Sequence, residues 1–175
     1  MGNLKQITLL TLSLVTVTIV MTGLVVLVNS LTEERIANII YADLITAKQE
    51  IFPEAGDFTR ESIIIENEPV RYYIAGSEGY VFITTSIGYG GEMTVVTGID
   101  SEGRVIDVRV TEHEETPGLG TRIFDDEFTH QFHRIISDEK FVVGENIDGV
   151  SGSTITVNAL VIAVNEALAI YWEVR

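Results

Sequence analysis

From Ile7 to Val28 the chain runs for twenty-two residues without a charge. At 1.5 Å per residue, a helix of that length crosses a hydrocarbon core of ~30 Å. A buried core helix would be shorter and amphipathic. A cleaved signal peptide would have a shorter apolar region closed by a small-residue site, whereas this run ends in Val28-Asn29-Ser30-Leu31. Six threonine or serine hydroxyls lie within the run. They can bond back to carbonyls one turn earlier, so they do not forbid insertion. The pattern predicts an uncleaved transmembrane helix over 7–28, a short tail over 1–6 before it, and one domain over 29–175.

Beyond the anchor the period of the pattern changes twice. Leu31, Ile36, Ile39, Ile40, Leu44, Ile45 and Ile51 keep nearly helical spacing, which predicts a helix leading from the membrane and ending near Pro53. Short runs rich in Val, Ile, Thr and Tyr follow at Ile63–Ile65, Val70–Ile74, Tyr80–Ile87, Met93–Ile99 and Arg104–Thr111. Glycine turns separate them, among them Gly88-Tyr89-Gly90-Gly91, so an antiparallel meander is expected. Asp125–Ile136 reads as a second helical stretch. The final one, Val157–Trp172, places Val157, Leu160, Val161, Val164, Leu168 and Tyr171 on one stripe. The layout is α+β, with helices laid on an antiparallel sheet.

Charge and composition narrow the function classes. The 175 residues carry 11 Lys and Arg against 26 Asp and Glu, a formal charge of -15. With no basic cluster to release phosphate counterions, this balance argues against nucleic acid as a partner. All 26 acidic residues lie beyond the anchor, while Lys5 precedes it. The positive-inside bias thus puts the amino end in the cytoplasm and the domain on the outer face of the membrane. Cysteine is absent, which removes disulfides, thiolate metal sites and a cysteine nucleophile. Redox chemistry would therefore require a bound organic cofactor.

Two loops have compositions that packing alone does not require. In His113-Glu114-Glu115-Thr116-Pro117-Gly118-Leu119-Gly120, proline fixes one φ and the glycines permit close backbone approach. This is either a plain turn leaving a strand or a rigid loop whose exposed amides receive a flat ligand. Glu112, Glu114 and Glu115 beside His113 lack the spacing of metal ligands, so no metal site is assigned. The second loop, Asp148-Gly149-Val150-Ser151-Gly152-Ser153-Thr154-Ile155-Thr156, immediately precedes the last helix. Its hydroxyls suit helix capping, and the same helix start suits a phosphate. It lacks the lysine of a P-loop, so nucleotide hydrolysis is not indicated.

The glycine turn at 88–91, the Glu115–Gly120 loop and the Ser151-Gly152-Ser153-Thr154 segment stand in the order found in the FMN-binding domain family. Together with the anchor and its Asn29-x-Leu31-Thr32-x-x-Arg35-Ile36 exit, the chain resembles the G subunits of Rnf-type ferredoxin:NAD+ oxidoreductases. These are related to the C subunits of sodium-translocating NADH:quinone reductases. The resemblance implies covalent FMN, joined through its phosphate to Thr154 by a separate flavin transferase. Ser151, Gly152 and Ser153 complete the acceptor motif, and Ser153 stands where the family usually has alanine. Ser153 and Thr156 are therefore rival acceptors. Glu115, Thr116, Pro117, Gly118, Leu119 and Gly120 would line the flavin ring. Tyr89 would either stack near the ring or pack on the sheet.

No residue set resembles a substrate pocket with an acid and a base, so no residue is assigned as catalytic. The resemblance makes the chain a redox carrier that works with the other proteins of a membrane complex. Alternatives are an FMN carrier of another extracytosolic electron-transfer system and, from a different class, a non-redox binding ectodomain.

Overall fold

The computed structural model describes residues 2–65, 67–133 and 140–175. The chain divides into two units, one up to Tyr41 and one from Ala42 to Arg175. Helix α1, Gly2–Ile51, supplies the whole of the first and the opening of the second. Within it, Gln6–Thr32 is apolar and long enough to cross a membrane, and none of its most apolar stretch is buried. Thr11, Thr16 and Thr18 donate to the carbonyls of Ile7, Leu12 and Leu14 at 2.8–2.9 Å. The hydroxyls are thus satisfied inside the helix, as a lipid setting requires. Length and composition support membrane association of this segment.

The second unit is built on five antiparallel strands: β1 Phe58–Ile65, β2 Glu68–Ala75, β3 Gly79–Ile87, β4 Glu92–Asp100 and β5 Val105–Glu112. They pair in chain order, the meander expected from the turns. β1 starts five residues before the apolar run that signals it, because Phe58–Ser62 is a largely exposed edge whose polar residues show no alternation.

A core lies on each face of the sheet. On one face Ala47, Ile51 and Phe52 at the end of α1 pack on Ala75, Val81 and Val96. Gly98 admits Ile51 there, since a Cβ at this position would stand 2.1 Å from Ile51 Cγ2. Lys48, 6% exposed, lays its ammonium 3.7 Å from the centre of the Tyr73 ring, and burial pushes its pKa down. The other face carries α3, Thr154–Val174. All six residues of its expected stripe are buried there with Phe82, Met93, Val95, Ile99 and Val108. Although α3 is apolar enough to cross a membrane, 61% of its most apolar window is buried against the sheet, so it is a core helix. The Thr84 hydroxyl donates to the Ala163 carbonyl at 3.0 Å, and Tyr171 donates to the Ser101 carbonyl at 3.2 Å. These bonds tie α3 to β3 and to the turn that follows β4.

The helix expected over Asp125–Ile136 is not a single helix. A 3-10 turn takes Gly120–Phe124, α2 covers only Asp126–Thr129, and a second 3-10 turn takes His130–Phe132. His133 is already extended, with φ -69° and ψ 138°, and Ile135 and Ile136 lie outside the described residues. So short a segment cannot hold an α-helix by propensity, and packing decides its shape. The tighter turn carries both Phe128 and Phe132 into the core, with Phe132 edge-on to Phe141 at 4.9 Å.

Candidate functional site

The glycine turn between β3 and β4 closes with the Gly88 N–H donating to the Gly91 carbonyl at 2.8 Å. Its glycines are demanded by a neighbour, the backbone and carboxylate of the 114–115 segment. A Cβ at Gly90 would stand 2.0 Å from the Glu114 carbonyl, and one at Gly88 2.2 Å from Glu115 Oε1. That oxygen accepts the Tyr89 N–H at 2.7 Å and the Gly90 N–H at 3.2 Å. Glu115 is 5% exposed and serves as a clasp between two loops, not as an open wall for a ligand. The Tyr89 ring does not pack on the sheet. It is 72% exposed and free for a planar partner.

The Thr116–Leu119 segment has the residue order of a type II turn, with Pro117 second and Gly118 third at φ +77°. Leu119 and Gly120 donate to the Thr116 carbonyl at 3.2 and 3.1 Å, and Gly118 donates to Thr121 Oγ1 at 2.9 Å. The amides expected to face a ligand are therefore spent inside the loop. Outward the loop offers the apolar Pro117 and Leu119, the latter 47% exposed, beside the exposed Thr116 and Gly118. Gly120 is buried, because a Cβ there would press within 2.5 Å of Glu115 Oε2.

The third loop turns from Val150 to Ser153, whose N–H donates to the Val150 carbonyl at 3.0 Å, with Gly152 at φ +85°. The expected side-chain cap is absent: Ser153 stands at the N-cap of α3 and makes no capping bond. Its hydroxyl donates instead to the Leu119 carbonyl at 2.9 Å. The first amides of α3 thus have no side-chain acceptor and present the positive end of a 21-residue helix. Ser151, Gly152 and Thr154 are exposed, whereas Ser153 and Thr156 are 3% and 1% exposed. Of the three hydroxyls at the helix start, Thr154 alone is exposed.

The three motifs are therefore joined. Glu115 ties the glycine turn to the proline loop, and Ser153 ties the proline loop to the helix start. Neither link has a signature in the sequence beyond the glycines that make room for it. Beside the helix-start loop lies a cleft of about 420 Å³, walled in part by Arg122, Asp125, Glu127 and Asp148. One guanidinium against three carboxylates does not suit a phosphate, which leaves the α3 amides as the better anion site. The side chains of His113, Glu114 and Glu115 diverge: the His113 ring lies tilted 4.8 Å from Phe124 while its Nδ1 accepts the Glu115 N–H at 3.3 Å, and Glu114 turns to Gly91. Among the described residues no three His, Asp or Glu side chains converge to hold a metal ion.

On this sheet with its three joined loops, the FMN-binding domain family matches residues 88–169. That interval opens at the glycine turn and runs into α3, so it contains all three motifs. The G subunit of an ion-translocating oxidoreductase complex from Photorhabdus laumondii is 32% identical over 163 residues, covering 80% of this chain and 78% of that protein. The chain belongs to this family of G subunits. Its relative in Methanosarcina acetivorans is 29% identical over 180 residues, 96% of each chain. The Acetobacterium woodii relative, the G subunit of a Na+-translocating ferredoxin:NAD+ oxidoreductase complex, is 33% identical over 152 residues, 71% of this chain and 72% of its own.

Proposed function

We propose that the chain is the covalently flavinylated electron-transfer subunit of an Rnf-type ion-translocating ferredoxin:NAD+ oxidoreductase, with FMN esterified to Thr154. The observation that carries this reading is the exposed Thr154 at the uncapped start of α3, tied through Ser153 to the loop that would meet the flavin ring. FMN, when bound, supplies one- and two-electron redox chemistry that no side chain here can provide. The protein's part is to hold it. The amides of Thr154, Ile155 and Thr156 receive the negative charge left on a phosphodiester. Leu119 and Pro117 offer apolar contact to one region of the ring, and Tyr89 a stacking face. Glu115 keeps those two surfaces in register.

The resemblance to relatives that belong to multi-subunit complexes supports protein partners for this chain as well. Covalent attachment would call in addition for a flavin transferase as maturation partner. The 27-residue apolar segment of α1 supports a single membrane crossing, with Lys5 favouring a cytoplasmic amino end and an outer-face domain.

Co-expression with a flavin transferase tests the attachment. The full chain keeps yellow fluorescence through denaturing electrophoresis, since a phosphoester survives unfolding, and Thr154→Ala is dark. Fluorescent Thr154→Ala protein, or an adduct mapped by mass spectrometry to another residue, would refute the assignment.

A further inference from the structure

Cations that the flavin site does not use gather on the sheet face that carries the end of α1. The β1–β2 register sets Arg60 opposite Tyr73, Ser62 opposite Arg71 and Ile64 opposite Pro69. Arg60 and Arg71 are therefore diagonal neighbours on one face, a separation of roughly 7–8 Å in a sheet. Tyr73 shares that face, and the buried Lys48 holds its ammonium 3.7 Å from the Tyr73 ring centre and 5.4 Å from that of Phe58. Burial lowers the Lys48 pKa, and the nearby Arg60 lowers it further. Among the described residues none of these three cations forms an ion pair. The carboxylates of the two strands, Glu61 and Glu68, stand opposite Tyr72 and Ile65, which pack toward α3, so both belong to the other face.

Much of this face is also uncovered. Ala47, Ile51 and Phe52 pack on Ala75, Val81 and Val96 and leave Arg60, Ser62, Ile64 and Arg71 exposed. On β3, alternation from Val81 puts Ile83, Thr85 and Ile87 on the same face, and Glu92, opposite Ile87, bounds it. Ile87 and Ile64, 78% and 74% exposed, are the most exposed large apolar side chains described in the second unit. Charged side chains on an edge strand guard it against pairing with other chains, a use that fits Arg60. Arg71 stands on an inner strand and Lys48 is buried, so edge protection does not account for the cluster.

We infer that this face docks an acidic segment of a partner subunit, which sets carboxylates against Arg60 and Arg71 and apolar side chains against Ile64 and Ile87. Charge selects this occupant, because the unpaired cations share one face of a chain that has 26 acidic residues and only 11 basic ones. A narrow segment responds to the local face, since charges beyond a Debye length of about 8 Å are screened. A flat anionic bilayer would instead meet the net negative domain as a whole. Such docking presupposes the protein partners proposed above and is independent of where flavin is attached.

The test uses the full chain in its complex, purified from cells through a tag on another subunit. Photoreactive p-benzoylphenylalanine placed at Ser62, exposed opposite Arg71, should crosslink to one stretch of another subunit that carries Asp or Glu, as mapped by mass spectrometry. Arg60→Glu combined with Arg71→Glu should lower recovery of the chain with the complex by about ten-fold or more. Arg60→Gln with Arg71→Gln should give a smaller loss, and lysines at the crosslinked acidic positions should restore the glutamate variant. Melting temperature and flavin label should stay at wild-type values, since neither arginine has an ion pair within the described fold. Wild-type recovery of both double variants would overturn the docking face, as would a crosslink to a stretch without carboxylates. Crosslinks to lipid alone would assign the face to the membrane and overturn it as well. A wild-type chain that never co-purifies would strike the reading as a complex subunit and the docking face with it, whereas a wild type that assembles without flavin would strike only the attachment at Thr154.

Discussion

Leu119 is the residue on which the two roles of the proline loop can be told apart. It is 47% exposed, and its carbonyl accepts the Ser153 hydroxyl at 2.9 Å. Full burial of a leucine side chain is worth about 1.5–3 kcal/mol, so a half-exposed one contributes roughly half or less before flavin is attached. Leu119→Ala should therefore lower the melting temperature of the flavinylated protein more than that of its unlabelled form, with an altered flavin absorption band. Equal shifts in both forms would make Leu119 a fold residue only. Glu115 should behave in the opposite way. Its Oε1 accepts two backbone amides from the glycine turn, and removing it leaves both without that partner in a partly buried place. Glu115→Ala should cost about 1–3 kcal/mol in denaturant titration whether or not flavin is present. An unperturbed midpoint would mean that the clasp is dispensable.

Among the elements, the turn between β4 and β5 carries a pH dependence whose sign can be worked out. Burial alone would raise the pKa of Asp100. Bonds from the Arg104 amide and guanidinium and from the Glu102 amide outweigh it and hold the carboxyl below its ordinary value. A depressed carboxyl stabilises the fold fully above its unfolded pKa, about 3.9, and that contribution disappears as pH falls through the folded value. Asp100→Asn should thus be less stable than wild type at pH 7 by about 1–2 kcal/mol. The two chains should converge in thermal melts as the pH drops below about 4. A constant gap across that range would mean that the charge contributes nothing and that shape alone closes the turn. The arginine of the next strand works across elements. Arg109 bonds Asp107 at 2.8 Å and also Asp126, while Asp107 meets His133 at 3.2 Å. These contacts fasten α2 and the following 3-10 turn to β5, where helical propensity could not hold them.

For the molecule as a whole, the prediction concerns the membrane. Alkaline carbonate should leave the full chain in the membrane fraction and detergent should release it, because the apolar segment Gln6–Thr32 is long enough to cross a membrane and, among the described residues, none of its most apolar stretch is buried. Protease added to cells with an accessible outer face should then remove the domain beyond Ser30. Digestion only in inverted vesicles would reverse the proposed orientation and turn the search for electron partners to the cytoplasmic side. With all 26 acidic residues and ten of the eleven basic ones beyond the anchor, the net negative domain would be held off anionic headgroups, so its mobility on the membrane should depend little on lipid charge.

Periodicity and turn chemistry were enough to read the apolar helix, the five-strand meander and the buried stripe of α3 from the sequence. Each depends on contacts between residues a few positions apart. The same local order made the three loops visible as motifs and marked Thr154 and the proline loop. Tertiary structure alone decided three further things. Asp125–Ile136 broke into short turns because Phe128 and Phe132 must both reach the core. Glu115 became a clasp because the glycine turn, 25 and 26 residues away, brings two amides to it. Among the hydroxyls at the start of α3, Ser153 was drawn to Leu119 and Thr156 was buried, which leaves Thr154 outward. Burial and hydrogen-bond partners arise from segments far apart in the chain, and a local pattern carries no record of them.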